Sequence, residues 1–413
     1  MHSIRERIPR LFGLLLLMLL AWAHVRMALQ LQRAYGNQEV NHPEVTYSRN
    51  PGMLSWHARQ RYLFGGDLTG ATALYRQALD IAPVFIPAWL GLAELYNDTG
   101  KRKTADGVMN LVDRYTQNIK RYRWDKILVA YQMQRTDILQ RDLTYLIAEG
   151  EGQDKNRALR MAFTLWPDPK ELERILGDGN LPVLFRYALR TENTDMAIAF
   201  WNDYPKVEAA LSSKEILSFI QLLMREKRLD LAATIWRQSF NSKALFYNGM
   251  FNKKPLQTAF GWQIRTAKGS SWRIEKANLE RPHPSLSIRF LHEENLSFSH
   301  AAQIVPLAGG HRYLLKGQWQ SKELTTDQRP FLEIIGYQCQ AQPVPGEMIA
   351  SSQPWQEFTL PFTVPESCQA IMVRVRRTPS HRIDNLLGGE FRLADLEIVP
   401  SKISIAPLVE ATR

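Results

Sequence analysis

Three regimes of apolar spacing divide the chain. Residues 11–23 are apolar throughout, residues 52–240 bring apolar positions back every three or four, and from residue 241 the period falls to two, with Gly and Pro punctuation. The first regime predicts a single apolar helix, the second an array of amphipathic helices and the third an antiparallel β-sandwich. The fold class expected is therefore multidomain α + β: an N-terminal membrane or signal helix at 1–32, a spacer at 33–51, a helical array at 52–240, a sandwich at 241–400 and a tail at 401–413.

The leader decides the compartment. Arg5, Arg7 and Arg10 precede the apolar run, and Ala21-Trp22-Ala23 has the small-x-small form that signal peptidase cuts. A spanning helix needs about 20 residues. Residues 11–25 cross a bilayer only if Arg10 and Arg26 snorkel outward. Met27 to Gln32 continue with helix-formers where a mature N-terminus would turn polar, which favours an uncleaved, single-pass inner-membrane anchor; cleavage after Ala23 is the alternative. Either way the positive flank stays cytoplasmic and the bulk faces the periplasm or exterior.

Within the array, moving 34 residues along sets Tyr62 on Tyr96, Gly66 on Gly100 and Ala71 on Ala105. Trp89, Leu92 and Ala93 open the second unit, and Pro83 ends a helix of the first. These positions in residues 52–119 resemble the tetratricopeptide repeat (TPR). Arg59 and Val112 depart from it. A second pair, offset by 35, aligns Leu184 with Phe219, Ala188 with Leu223, Asp195 with Asp230, Ala197 with Ala232 and Trp201 with Trp236. Between the pairs, residues 120–180 keep helical periodicity but lose the signature. The resemblance implies a TPR-like solenoid whose groove holds a partner protein; a spacer role is the alternative.

In the β region, residues 285–290 place Leu286, Ile288 and Phe290 on one side and Ser285, Ser287 and Arg289 on the other. Residues 371–376 likewise separate Ile371, Val373 and Val375 from Met372, Arg374 and Arg376. Further strands are expected at 313–319, at 331–337, where Glu333 and Tyr337 face away from Leu332 and Ile334, and at 391–399. The order Tyr247-Asn248-Gly249-Met250-Phe251, Phe260-Gly261-Trp262, the strand at 285, the strand at 313, Trp355 to Phe358 and the closing Leu393-Ala394-Asp395-Leu396 is similar to jelly-roll carbohydrate-binding modules of the galactose-binding-like type. That resemblance implies glycan binding on a sheet face or in end loops, often beside a structural calcium. This chain has no run of acidic ligands for one, and Asp384 and Asp395 are the candidates; no other cofactor is implied.

Sugar binding needs rings that stack on pyranose faces and polar groups that meet hydroxyls. Trp272, Trp319, Tyr337 and Trp355 are the candidate rings, with Arg289, Glu333, Arg374 and Arg376, and also Gln318, as polar partners. Trp262 is expected in the core. Cys339 and Cys368 sit near the ends of predicted strands and are a candidate disulfide in an oxidising compartment; two half-buried thiols are the alternative.

Charge and motifs narrow the function. The net charge is +11 over 413 residues, yet no Lys/Arg-rich run with interleaved aromatics points to nucleic acid, and an acidic glycan or lipid suits the charge better. The glycines of residues 65–70 lack the lysine of a phosphate loop, His292-Glu293-Glu294 lacks a second histidine, and Glu333, Glu347 and Glu357 are unpaired in sequence. The expectation is a non-catalytic, exported, membrane-tethered adaptor in envelope or exopolysaccharide assembly, binding a protein through the array and a polysaccharide through the sandwich. A pure protein scaffold and a glycan-modifying enzyme are the alternatives.

Overall fold

The computed structural model describes residues 49–202, 211–240, 244–277 and 282–401. The leader at 1–32, nearly all of the spacer and all but the first residue of the tail lie outside the described residues. Among the described residues no helix is long and apolar enough to cross a membrane. The described residues form two compact units, divided between Val183 and Leu184.

In the first unit, α1 (Pro51–Leu63), α2 (Leu68–Ile81), α3 (Ile86–Asp98), α4 (Arg102–Thr116), α5 (Arg123–Gln132), α6 (Thr136–Glu149), α7 (Gly152–Leu165) and α8 (Pro169–Leu176) follow one another. Their starts are written locally. The Asn50 side chain accepts from the N–H groups of Gly52 and Met53 at the head of α1, and Asp67 does the same for Gly70 in α2. Ala71, Tyr75 and Ala78 of α2 pack with Leu54 and Ala58 of α1 and Ala88 and Leu92 of α3. A Cβ on Gly91 would lie 2.3 Å from the Tyr75 ring, so glycine there lets α3 close on α2.

The pairs turn through one repeated conformation. Gly66 and Gly100 are left-handed, with φ 63° and 76°, and so is Gln134, with φ 59°, a further 34 residues on. Lys101 N donates to Tyr96 O and Arg135 N to Ala130 O, both at 2.8 Å, closing the helix ends in the same way. The repeat thus continues through α5 and α6, inside the stretch where its signature fades from the sequence, because a glutamine accepts the strained turn in place of the marking glycine.

A buried ionic cluster joins α4, α5 and α6. Lys126 Nζ lies 2.9 Å from both Asp113 Oδ1 and Asp142 Oδ2, Arg123 Nη1 is 2.5 Å from Asp142 Oδ1, and Arg141 reaches both aspartates. The Arg123 guanidinium also sits over the Tyr145 ring at 3.7 Å.

The second unit begins with the rest of α9 (Leu181–Arg190), then α10 (Thr194–Asn202), α11 (Ser213–Arg225) and α12 (Leu229–Phe240). Glu192 and Lys227, 35 apart, are left-handed at the turns within its helical pairs, and Phe185, Trp201 and Phe219 meet with ring centroids 5.1 to 5.9 Å apart. Among the described residues ten strands follow in two antiparallel sheets, ordered β1-β4-β9-β6-β7 and β2-β3-β10-β5-β8. They are β1 (Gln263–Ile264), β2 (Ser270–Glu275), β3 (Ser285–Leu291), β4 (Phe298–Pro306), β5 (Arg312–Lys322), β6 (Phe331–Gly336), β7 (Val344–Pro345), β8 (Gln353–Thr363), β9 (Ala370–Arg377) and β10 (Gly388–Pro400). Leu286, Ile288, Phe290, Ile371, Val373 and Val375 lie in the core between the sheets, as does Trp262.

Helix α12 packs on the outer face of the first sheet. Trp236 stacks on Phe240 and meets Tyr247 and Phe260 edge-on, and Trp236, Tyr247 and Phe260 line a cavity of about 40 Å³ with Ile304 and Pro306 of β4. Two glutamines grip the turn between α11 and α12: Gln338 Nε2 donates to Met224 O at 2.8 Å and Gln369 Nε2 to Asp230 Oδ2 at 2.7 Å. Their chain neighbours Cys339 and Cys368 form a disulfide, so one covalent bond holds both glutamines in place. Replacing both cysteines with alanine is expected to cost about 2–4 kcal/mol. Hydrogen exchange checks it: the amides of residues 224–230 should exchange faster, and an unchanged rate there would show that the glutamines hold the turn without the bridge.

Candidate functional site

The sequence-designated ring and polar residues fall in three separate places. Trp319 is on the inner side of β5, 7% exposed, with its ring 4.8 Å from that of Phe358 and 6.5 Å from that of Phe391. Trp272 is half-buried against the same core, in register with Ile288. Neither ring stands on an open face.

Glu333 and Arg374 are register partners on the outer side of the first sheet, the sheet that carries α12, and pair there with Arg374 Nη2 to Glu333 Oε2 at 2.5 Å. Arg376 donates to Ser297 Oγ at 3.0 Å and Phe298 O at 3.2 Å. Tyr337 is half-buried beside Gln338, and burial pushes its phenol pKa up. These four serve the structure's own joints. Only Arg289 and Trp355 of the designated eight, together with Gln318, belong to the outer face of the second sheet.

Register lays that face out in rows. Ser271, Arg289, Glu390 and Lys322 stand side by side across β2, β3, β10 and β5, and the next row is Arg273, Ser287, Arg392 and Gln320. Beyond them come Ala394, Gln318 and Glu357. Trp355, half-buried, occupies the irregularity of β8 opposite Gln320. The centre of the face is a closed ionic network. Arg392 Nη2 donates to Glu390 Oε2 at 2.8 Å, Ser287 Oγ to Glu390 Oε1 at 2.5 Å and Arg273 Nη2 to Glu275 Oε1 at 2.7 Å, while Arg392 Nη1 lies 3.3 Å from Glu275 Oε2. Burial alone would raise the Glu390 carboxyl, but the bonds from Ser287 and Arg392 outweigh it and hold the pKa below the ordinary value.

Beside this network the face sinks. Strand β10 begins with Gly388 and Gly389, and without side chains there the sheet opens into a cavity of about 840 Å³ whose lining includes Arg289, His292, Gln320, Lys322, Glu323 and Ser352. Sequence reasoning missed Gln320 and Lys322, which lie past the end of the strand expected at 313–319, and Glu390, which precedes the strand expected at 391–399, and it did not single out Arg392 within that strand. The glycine pair followed by alternating Glu390 and Arg392 was the available signal.

The first unit has its own groove, of about 410 Å³, lined by α1, α3 and α5, the leading helices of the three pairs. Leu128 and Tyr131 are exposed there, and Glu94, buried, lies 3.8 Å from Arg59 and accepts from Gln132 Nε2 at 3.2 Å.

Among the described residues no three His, Cys, Asp or Glu gather as a metal site. Asp395 pairs with His283 Nδ1 at 2.9 Å, and Asp384 is exposed in a loop.

No family model matches the chain. No curated protein matches it either. Solved structures that it is similar to include carbohydrate-binding modules and a TPR protein. A CBM4 module shares 15% identity over 38% of this chain and 99% of its own, with a TM-score of 0.28. The TmCBM61 module in complex with β-1,4-galactotriose shares 15% over 39% and 100%, with a TM-score of 0.28. PilF of Pseudomonas aeruginosa shares 15% over 46% and 93%, with a TM-score of 0.26.

Proposed function

We propose that this protein is a non-catalytic binding protein of the cell envelope. Its jelly-roll sandwich binds a polysaccharide on the outer face of the second sheet, and its TPR-like array holds a segment of a partner protein in the groove of α1, α3 and α5. The apolar run at 11–23, read as an anchor, tethers it to the inner membrane with both units outside, in envelope or exopolysaccharide assembly.

One observation carries the glycan reading: Arg, Glu, Gln and Ser side chains stand in register on a face of the sandwich that also sinks into a small-ligand-sized depression, and Trp355 follows its lining residue Pro354 along β8. Hydroxyl-rich ligands need such a density of fixed donors and acceptors. The partners of Glu390 keep it ionised, so this carboxylate is not the protonated acid that a glycosidase needs. The protein reading rests on exposed Leu128 and Tyr131 beside buried Glu94, an apolar surface with a fixed charge at its middle. The scaffold alternative has its own support, since the first sheet spends its outer face on helix α12.

Affinity electrophoresis in gels that each contain one polysaccharide tests the glycan reading. Retardation is expected in at least one gel, and Trp355→Ala should weaken it by about tenfold, the effect of removing a stacking ring worth roughly 1–1.5 kcal/mol. Unretarded migration in every gel would leave the scaffold.

A further inference from the structure

We infer that the depression at the head of β10 takes the carboxylate-bearing sugar of an acidic polysaccharide. The inference rests on the glycan reading above and gives it a chemical class.

The floor of the depression is backbone. Gly388 and Gly389 lie in a strand flanked by β3 and β5, and Gly389 admits no side chain: its φ is 101°, and a Cβ would lie 2.4 Å from Glu323 O. On either side of Glu390, the next residue along, stand Arg289 of β3 and Lys322 of β5. Neighbouring strands are about 4.8 Å apart, so two long cationic side chains rise from Cα atoms roughly 10 Å apart over one carboxylate.

Glu390 is not free to neutralise them. Its Oε1 accepts from Ser287 and lies 3.7 Å from Arg273, and its Oε2 accepts from Arg392. Among the described residues neither Arg289 nor Lys322 has an ion-pair partner, and both are exposed. Two adjacent cations with their common neighbour already engaged form a place for an anion from outside the chain.

The rest of the lining says which kind. Gln320 and Ser352 offer amide and hydroxyl groups, and Glu323 offers a carboxylate that is likewise unpaired among the described residues. A carboxylate accepts from hydroxyls and repels a second anion at its own side. The combination therefore suits a polyhydroxyl ligand with one negative group per ring, which is the chemistry of a uronic acid. It does not suit a polyanion that presents charge on all sides.

The test uses the full chain in detergent and two polymers of one backbone, polygalacturonate and its carboxyl-reduced, neutral form. The acidic polymer should bind at least about tenfold more tightly, and the Arg289→Gln/Lys322→Gln variant should lose about tenfold or more of that binding, as expected for lost hydrogen bonds to a charged group. Lys101→Gln/Lys103→Gln removes the same charge from the helical unit and should change binding by less than about twofold. Equal loss in both double variants, or equal affinity for both polymers, would overturn the inference while leaving glycan binding intact. No binding of either polymer would overturn the inference, and failure across a wider panel of neutral polysaccharides as well would take the glycan reading with it.

Discussion

Arg377→Met is expected to destabilise the sandwich by about 3 kcal/mol or more, since three buried carbonyls lose their donor at about 1–3 kcal/mol each. The side chain ends β9 and is 0% exposed. Its Nε donates to Gln328 O at 3.1 Å, its Nη1 to Asn295 Oδ1 at 2.9 Å and Leu296 O at 2.6 Å, and its Nη2 to Asn385 O at 3.1 Å. Three loops thus meet on one guanidinium, and every acceptor is neutral. Burial pulls its pKa below the usual arginine value, opposed by the charge of Asp327. That carboxylate is itself engaged by Ser380 and Arg382. Methionine fills the volume and leaves three inward-facing carbonyls without donors, each a desolvation cost of about 1–3 kcal/mol. Arg377→Lys should recover only part of the loss, since one ammonium lacks the planar fork that reaches three loops. Urea unfolding followed by tryptophan fluorescence reads the effect, and a Met variant with the parent's midpoint would refute it. The same loops lead to His292, Glu323 and Gly388 at the depression, so polysaccharide binding should fall with Arg377→Met although this arginine does not line the cavity.

Arg377 also shows what the sequence could and could not disclose. Alternation along β9 puts Val373, Val375 and Arg377 on one side, so an inward arginine was legible from period alone; its satisfaction by three distant loops was not. Strands β3 and β9 read clearly because one face is apolar and the other polar. Strand β4 did not, since Ile304 is buried under α12 while Val305 fills the core, and two buried faces erase the alternation. Arg374 and Glu333 do point outward as their spacing implies, but their mutual pairing depends on register between β6 and β9, which no single strand encodes. The same holds for the candidate face. Arg289 could be placed on an outer side from Ser285 and Ser287, whereas its neighbourhood with Lys322 arises only when β10 inserts between β3 and β5. A repeat unit at α5 and α6 was hidden for a simpler reason: its turn carries Gln134 in place of glycine.

Asp142→Asn should open the middle of the helical unit by about 3–5 kcal/mol, seen as amide exchange across α4, α5 and α6 faster by roughly two to three and a half orders of magnitude. Asp142 and Lys126 are both 0% exposed. With the carboxylate gone, Asp113 is left to balance Lys126, Arg141 and, at greater remove, Arg123, so positive charge stays in a site water does not reach. A structural contribution by the pair, as opposed to a need for charge as such, predicts that Lys126→Met/Asp142→Leu loses much less than the single change, because an apolar pair removes both desolvation costs together. Acid should act in the same direction. Burial raises the Asp113 carboxyl, but its bonds from Arg141 and Lys126 prevail and hold it below the ordinary carboxylate value. A depressed native pKa contributes stability that is complete above the unfolded value and is lost as pH falls toward the native one. Exchange in α4 to α6 should therefore accelerate at acid pH in the parent chain, and less so in the Met/Leu variant, where Lys126 no longer draws on Asp113. Equal acid sensitivity in the two chains would place the pH response outside this cluster.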